Sequence, residues 1–271
     1  MSAVRWVTHG IEMSAGRVVK RFASRDDGRA EREWRGLTLL SVHAPGLAPE
    51  PLEADLAAER PVVVMSRLAG VPLRGTVMGE REHAALGEAV AALHQAVPPG
   101  VLRQVPPRPG LPGELLGRIG GWAADVPSRR GSVRRAMDAG LDWLQCSELP
   151  VDLPRGIPEV FGPGDGNLAN YLWDGSRVRV VDFEDSGRSD RAFELAEITE
   201  HVGSWVEQPL DVPVFLGQFD LCPAEMVRLG ECRRLLALVW LFLLAGDDPE
   251  HPRNPAGTVE RQAARVLELL G

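Results

Sequence analysis

Three oxygen-bearing side chains in the second half of the chain have the types and spacing to carry chemistry: Asp165, Asn170 and Asp182. Carboxylate and amide oxygens are the hard ligands that Mg²⁺ takes, usually as one or two carboxylates together with substrate phosphates. A further carboxylate that holds no metal can orient a hydroxyl group and accept its proton. Residues of these types at this spacing therefore indicate phosphoryl transfer.

The elements around these side chains should bring them together. Asp165 lies in a loop rich in glycine, which no regular element can hold. Asn170 precedes a short apolar run, and Asp174-Gly175 is typical of a two-residue hairpin turn. The return strand, predicted over residues 177–181, ends directly before Asp182 and carries it back towards Asn170. The alternative is a surface hairpin whose acidic residues are incidental.

A single lysine stands among the basic residues. Of 30 Lys and Arg residues only Lys20 is lysine, so arginine serves wherever a general positive charge suffices. Lys20 lies in a β-rich segment, and lysine is a compact point charge for phosphate that the broader guanidinium replaces poorly. A helix is predicted from Ala30 to Leu40, with Glu31 and Glu33 near its start. Either glutamate could also be a solvated helix charge.

The same motifs resemble those of the aminoglycoside phosphotransferase family, which are small-molecule kinases with a protein-kinase-like fold. The resemblance rests on D-x-x-x-x-N from Asp165 to Asn170, on Asp182-Phe183-Glu184 after the hairpin, and on Gly187-Arg188-Ser189-Asp190 before a helix. One position departs: Pro163 stands where the family has histidine, two residues before the aspartate. The resemblance implies an α+β, two-lobed fold with a small β-rich N-terminal lobe and a larger, mostly helical C-terminal lobe.

The resemblance also implies roles for the residues of the hairpin region. Asp165 would be the catalytic residue, which orients the acceptor hydroxyl and takes its proton. Asn170 and Asp182 would hold Mg²⁺, and ATP or GTP would be the co-substrate.

For the N-terminal region, the resemblance implies a nucleotide site. Lys20 would hold the nucleotide phosphates, and Glu33, in preference to Glu31, would position Lys20. The segment that follows Met65 resembles the hinge where a strand leaves the small lobe. Met65 and Arg67 would therefore meet the purine.

The chain is expected to divide into two parts. Residues 1–68 are predicted to form the nucleotide-binding lobe, and residues 69–271 the catalytic and substrate-binding lobe. Strands are predicted over residues 6–8 and 11–14 of the first part, which has no G-x-G-x-x-G segment to cover the phosphates. In the second part, the proline-rich segment 98–112 is predicted to be an exposed loop.

The overall composition is ordinary for a soluble globular protein, with 44% hydrophobic and 25% charged residues. Three cysteines form neither a C-x-x-C pair nor an even disulfide framework, which favours a reducing cytoplasm. The N-terminus lacks an apolar core of signal-peptide length. The longest apolar run, 235–245, is too short to span a bilayer and reads as a buried helix. A cytoplasmic protein without a membrane partner is expected.

The charges are unevenly divided along the chain. Residues 1–145 have a net charge of +3, and residues 146–271 a net charge of −11. An acidic half would repel nucleic acid and would attract a small cationic molecule. Five residues are candidates for an acidic cluster that faces Asp165: Glu197, Glu200, Asp247, Asp248 and Glu250. Alternatively, these are ordinary solubilising charges.

Together with the resemblance, these features predict an Mg²⁺-dependent phosphotransferase. It would move the γ-phosphoryl group of ATP or GTP to a hydroxyl of a small cationic molecule, such as an aminoglycoside-like antibiotic or an amino alcohol. The alternative is a catalytically weak kinase-like protein that binds nucleotide or a small molecule without turnover. Pro163 and the short loop that is available to cover the phosphates favour this alternative. A protein kinase is a third possibility, opposed by the missing A-P-E element and the short gap after Asp182. The acceptor and the oligomeric state stay open.

Overall fold

The computed structural model describes residues 10–126, 131–147, 149, 156–248, 250–251 and 253–271. The strand predicted over residues 6–8 lies outside these described residues.

The N-terminal part is built on an antiparallel sheet with the strand order β1-β2-β4-β3. Its strands are β1 (Gly10–Met13), β2 (Arg17–Arg21), β3 (Pro51–Asp55) and β4 (Val62–Ser66). Helix α1 (Arg29–His43) connects β2 to β3 and buries Leu37 and Leu40. Lys20 is paired with Ile11 on one side and Val63 on the other, so it lies in the middle of the sheet.

The remainder of the described chain is mostly helical. Its helices are α2 (Glu80–Ala96), α3 (Pro99–Leu102), α4 (Pro112–Asp125), α5 (Gly131–Cys146), α6 (Arg191–Glu200), α7 (Val212–Leu216), α8 (Pro223–Ala245) and α9 (Thr258–Leu270). The predicted buried run lies within α8, which packs against α6 and α9. Asp190 caps α6, because its side chain accepts a hydrogen bond from the Phe193 amide at 2.8 Å.

Further short strands lie outside the N-terminal sheet, and Asp165 and Asp182 come shortly after two of them. They are β5 (Val71–Pro72), β6 (Glu159–Gly162), β7 (Tyr171–Trp173), β8 (Val178–Val180) and β9 (Gly187–Asp190). Strands β5, β7 and β8 form one sheet, and β6 pairs with β9.

The predicted hairpin forms, but its connection is longer than two residues. The turn spans residues 174–177, and the return strand is Val178–Val180, shorter than predicted at both ends. The cause is Asp174, whose carboxylate accepts hydrogen bonds from the amides of Ser176 and Arg177. These bonds form a local Asx-type turn, which competes with strand pairing.

The prediction that residues 98–112 form an exposed loop was wrong. Leu102 and Val105 belong to the core, and Arg108 is only 5% exposed. The Arg108 amide donates a hydrogen bond to the carbonyl of Arg188, so the segment lies along β9. Pro99 and Pro112 begin α3 and α4, and the backbone at Pro106 and Arg108 forms hydrogen bonds with Arg188 along the edge of β9.

The α+β architecture agrees with the predicted fold class, whereas the division of the chain at residues 68 and 69 stays a prediction. Among the described residues, none of the helices has the length and apolar character that a membrane crossing requires.

Candidate active site

The segment that follows β6, residues 163–170, holds Asp165 and is called the Asp165 loop here. Gly164 has a φ of +89°, and a Cβ atom there would lie 2.0 Å from the Asp185 carbonyl oxygen. The loop can therefore approach its neighbours this closely only with glycine at that position. Asp165 Oδ1 accepts from the Asn167 amide at 2.9 Å, and Asp165 Oδ2 accepts from Asn170 Nδ2 at 3.0 Å. Backbone and side chain thus fix the carboxylate together.

The environment of Asp165 makes its carboxylate more basic than usual. Desolvation and the nearby charge of Asp182 raise the pKa of Asp165 to about 6, against the hydrogen bonds from Asn167 and Asn170. The side chain nevertheless keeps 36% of its surface exposed, so it can be reached from solvent. A reachable carboxylate of raised pKa is suited to take up a proton near neutral pH.

Four charged residues form a second group, the Lys20 cluster: Lys20, Glu33, Asp182 and Glu184. Lys20 Nζ lies 2.9 Å from Glu33 Oε2 and 2.6 Å from Asp182 Oδ1. The same nitrogen lies 2.6 Å from Glu184 Oε2. Glu33 Oε2 also accepts from the Phe183 amide at 3.0 Å, so Glu33 connects α1 to the segment after β8. Glu33, rather than Glu31, is the helix glutamate in contact with Lys20.

The charges of the Lys20 cluster do not balance. Burial opposes the charged form of Lys20, but the three carboxylates outweigh it and raise the pKa of Lys20 above its ordinary value. Burial also raises the pKa of the fully buried Glu33 to about 7, against Lys20 and with the charges of Asp182 and Glu184. Arg29 Nη1 lies 3.1 Å from Glu184 Oε1, so three carboxylates face two cations, and an excess of one negative charge remains when all are ionised.

Asp182 has an unusual backbone conformation. Its φ is +71°, and it is the one non-glycine residue with a positive φ in the part of the chain that the structure describes. Aspartate and asparagine tolerate this left-handed region better than other residues. The preceding residue, Val181, donates its amide to the Asn170 carbonyl at 2.9 Å, which holds the hairpin exit beside the Asp165 loop.

The donor set of the Lys20 cluster fits a divalent cation such as Mg²⁺. One oxygen from each of Glu33, Asp182 and Glu184 lies within 4.8 Å of the other two, and all are hard ligands. The excess negative charge of the Lys20 cluster also favours the binding of a cation. Asn170 donates its Nδ2 to Asp165, so its amide oxygen is directed away from that carboxylate.

The residues predicted to meet the purine lie at the end of β4. Met65 is 5% exposed and pairs with Val18 of β2. The Arg67 amide donates to the Gly16 carbonyl at 3.0 Å, and Arg67 Nη1 donates to the Ser14 carbonyl at 3.1 Å. Arg67 therefore closes the turn between β1 and β2, and its contact with a purine stays a prediction, as does that of Met65.

The Asp165 loop is also bound by Arg108, a residue that the sequence analysis did not identify. Its Nη2 donates to the Gly164 carbonyl at 2.7 Å, next to Asp165. Its two terminal nitrogens also donate to Glu194 at 2.9 Å and to Glu197 at 3.1 Å, both on α6. The Arg108 guanidinium is buried and lies over the aromatic ring of Phe193 in the core. Arg108 thus ties the Asp165 loop to α6.

Two further residues near the site carried little sequence signal. Glu184 stands within the quoted motif, but neighbouring positions in a sequence do not show which side chain turns towards the lysine. His201 follows α6, and its Nε2 lies 3.3 Å from Asp165 Oδ1. Nothing in the local pattern around His201 could have connected it to Asp165.

The five acidic candidates do not form one open cluster. Burial raises the pKa of Glu197 to about 7, opposed by Arg108 and supported by Glu194 and Asp165. Three other candidates have local partners: Glu200 forms ion pairs with Arg233 and Arg265, Asp247 forms one with Arg253, and Asp248 lies 3.0 Å from His251 Nδ1. Four of the five candidates therefore have local partners.

Comparisons with known proteins identify the family and the fold. The model of the phosphotransferase enzyme family matches residues 5–226. Amicoumacin kinase hAmiN, solved in complex with AMP-PNP, Ca²⁺ and Ami, is 15% identical with a TM-score of 0.64, covering 97% of this chain and 88% of that one. Choline kinase LicA from Streptococcus pneumoniae is 15% identical with a TM-score of 0.61, covering 100% and 91%. A thermostable mutant of aminoglycoside phosphotransferase APH(4)-Ia is 16% identical with a TM-score of 0.62, covering 96% and 88%.

No curated protein matches the sequence. At these identities the solved structures show the fold, and they confirm the predicted protein-kinase-like class. The family match extends from the N-terminal sheet into α8 and includes both the Lys20 cluster and the Asp165 loop. The chain belongs to the phosphotransferase enzyme family.

Proposed function

We propose that the protein transfers the γ-phosphoryl group of ATP or GTP to a hydroxyl group of a small, cationic molecule. This proposal rests on the proximity of the Lys20 cluster and the Asp165 loop, which are suited to different tasks. The Lys20 cluster has the charges to hold phosphates and a cation, and the Asp165 loop has a reachable carboxylate of raised pKa. Val181, next to Asp182, donates its amide to the Asn170 carbonyl, and Asn170 donates to Asp165, so the two groups adjoin each other.

In this proposal Asp165 orients the acceptor hydroxyl and accepts its proton. The hydroxyl oxygen forms the new bond to the γ-phosphorus, while the bond from that phosphorus to the bridging oxygen breaks. ADP or GDP leaves with the electron pair, and the proton goes to Asp165. Positioning and electrostatic stabilisation supply most of the rate in such a transfer.

The nucleotide is held by the N-terminal sheet. Lys20 binds its phosphates and Glu33 keeps Lys20 in place, while the chain at Met65 and Arg67 meets the purine. Asn170 and Asp182, with Glu184 as a further carboxylate, would hold Mg²⁺, which would neutralise charge on the phosphates. Asp182 and Glu184 belong to the group of three convergent carboxylates, which supports them as ligands, whereas Asn170 is assigned from the family resemblance.

The acceptor is expected to carry a positive charge. The net charge of −11 over residues 146–271 favours a cation in this half of the protein. The similar solved structures include a choline kinase and an aminoglycoside phosphotransferase, whose names point to amine-bearing acceptors.

A second candidate is a protein that binds nucleotide or a small molecule without turnover. The tight turn between β1 and β2 favours it, because the Ser14 amide donates to the Arg17 carbonyl and leaves little chain to cover phosphates. Pro163, in place of the family histidine, favours it as well.

A screen of the purified chain distinguishes these functions. The chain would be incubated with Mg²⁺ and ATP or GTP against a panel of amino alcohols, choline and aminoglycosides, and phosphorylated products would be detected by mass spectrometry. Asp165→Asn should lower product formation by about 10²–10⁴-fold, the usual contribution of a positioned acid or base, while nucleotide affinity stays unchanged. Asp138→Asn, which changes an exposed carboxylate on α5, is the matched control.

Nucleotide binding with no phosphorylated product from any acceptor would instead support the binding protein. An Asp165→Asn variant as active as the unmodified chain would remove Asp165 from the reaction.

A further inference from the structure

A histidine reaches Asp165 from a part of the chain that the family motif does not include. The position two residues before Asp165 is Pro163, which has no hydrogen-bond donor on its side chain or backbone nitrogen. His201 instead arrives from the C-terminal end of α6, with its Nε2 3.3 Å from Asp165 Oδ1. Its side chain is 9% exposed, so the imidazole is shielded from water.

The hydrogen bonds of the imidazole fix which nitrogen carries the proton. The Gly203 amide donates to His201 Nδ1 at 2.9 Å, so Nδ1 acts as an acceptor and carries no hydrogen. A neutral imidazole has one N–H group, which must then lie on Nε2, the nitrogen that faces Asp165. Burial and the charge of Arg74 lower the pKa of His201 to about 3, which agrees with a neutral ring.

The surroundings hold the ring in this orientation. The edge of His201 packs against Trp240 of α8, with ring centroids 4.6 Å apart and planes at 78°. A Cβ atom at Gly203 would lie 3.0 Å from His201 Nδ1 and 2.5 Å from Asn167 Oδ1. Glycine at position 203 therefore allows the backbone to approach both side chains.

The Asp165 carboxylate has four acceptor positions, two on each oxygen. Oδ1 accepts from the Asn167 amide, and His201 Nε2 lies 3.3 Å from it without being aligned for a hydrogen bond. Oδ2 accepts from Asn170 and has one position left. A hydrogen bond from His201 would fill the second position of Oδ1 and leave Oδ2 as the acceptor for the substrate hydroxyl.

We propose that His201 is a positioning residue, which donates its Nε2–H to Asp165 Oδ1 and so directs proton acceptance to Oδ2. This inference rests on the proposed phosphoryl transfer. Without the donor from His201, Oδ1 would offer a second, wrongly placed position for the hydroxyl, and the carboxylate could rotate.

Two amide substitutions separate this role from a merely structural one. In His201→Gln the Nε2 amide can reach Asp165, but no acceptor stands at the position of Nδ1. In His201→Asn the side-chain oxygen can still accept from Gly203, but the amide is too short to reach Asp165. His201→Phe keeps the ring shape and removes both bonds.

The variants would be compared in Mg·ATP-dependent transfer to the acceptor that the panel identifies, and in Mg·ATP hydrolysis with water as the acceptor. His201→Phe and His201→Asn should lower kcat by about 10- to 100-fold, the size of one hydrogen bond to a charged group, with the KM for ATP unchanged. His201→Gln should recover most of kcat. In the unmodified chain, ¹⁵N NMR of the His201 ring should show the proton on Nε2.

Each failure has its own meaning. If His201→Asn is as active as the unmodified chain, or His201→Gln is no better than His201→Phe, the positioning role is overturned and the proposed function stands. A proton on Nδ1 in the NMR spectrum overturns it too, whatever the activity of the variants. If the unmodified chain transfers no phosphoryl group to any acceptor or to water, the proposed function falls and this inference falls with it.

Discussion

The Lys20 cluster and the Asp165 loop both hold a carboxylate from the same hairpin region, but they do so by opposite means. In the Lys20 cluster, Asp182 is held by charge, through the ammonium of Lys20 at 2.6 Å. In the Asp165 loop, the carboxylate is held by neutral groups: the Asn167 amide and the Asn170 side chain. The first arrangement is unbalanced and attracts a further cation. The second leaves a carboxylate whose negative charge is not neutralised by a partner and which can take a proton.

The largest effect on stability should come from removing the ammonium group of the Lys20 cluster. Lys20→Met would leave the fully buried Glu33 without its ammonium partner, which should lower the free energy of unfolding by about 3–5 kcal/mol. Urea denaturation at pH 8, where an unpaired Glu33 is most costly, would measure this.

The double variant Lys20→Met/Glu33→Gln is the control for that effect. It should regain most of the stability, because the unpaired charge is gone, yet it should not regain phosphoryl transfer. If the single variant is as stable as the unmodified chain, Lys20 does not compensate Glu33.

A smaller effect is expected from Asp182→Asn. Asparagine tolerates the positive φ at this position, so the fold should be preserved. The loss of one carboxylate should make nucleotide binding independent of Mg²⁺, with an affinity for Mg·ATP lower by about tenfold or more. Calorimetric titration of ATP with and without Mg²⁺ would measure it. An unchanged Mg²⁺ dependence would remove Asp182 from the cation site.

The Asp165 carboxylate, which is held by neutral groups, predicts that activity depends on pH. The pKa of Asp165 is raised to about 6, and the reaction needs its deprotonated form. Activity should therefore be full above pH 7 and should fall below pH 6 by about tenfold per pH unit. Values of kcat/KM between pH 5 and 8 would test this, with Mg·ATP binding followed at each pH. A flat profile across this range would contradict the assignment.

The smallest effect is expected at Pro163, which is buried at the start of the Asp165 loop. Pro163→Ala should cost roughly 1 kcal/mol or less, because it increases the freedom of the unfolded chain, and should lower turnover by a few fold. Thermal denaturation and kcat would be measured together.

Gly164→Ala is the neighbouring control for that substitution. It should be far more harmful, since its Cβ would collide with the Asp185 carbonyl. Equal effects of the two substitutions would mean that Pro163 does more than stiffen the loop.

The sequence predicted the parts of the site that local order determines. Lys20 and Glu33 are 13 residues apart, on a strand and the helix that follows it, and the family resemblance favoured Glu33 over Glu31 as the partner of Lys20. The hairpin that brings Asp182 towards Asn170 was likewise predicted from its turn and its alternating strand.

Contacts between distant segments were not predictable in this way. Arg108 reaches Gly164 across 56 residues of chain, and its proline-rich surroundings suggested exposure. His201 meets Asp165 only because α6 packs behind the Asp165 loop. Periodicity tells which face of a helix is buried, but it does not tell which loop that face will touch.

The burial of the only lysine gives the protein a useful chemical property. Amine-directed reagents can modify only one side chain in this sequence, and that side chain is 5% exposed within an ion-pair cluster. Apart from the α-amino group, the rate of amine labelling therefore reports how often the contact between the N-terminal sheet and the segment after β8 opens. Each label on Lys20 Nζ therefore marks a molecule in which this contact has opened.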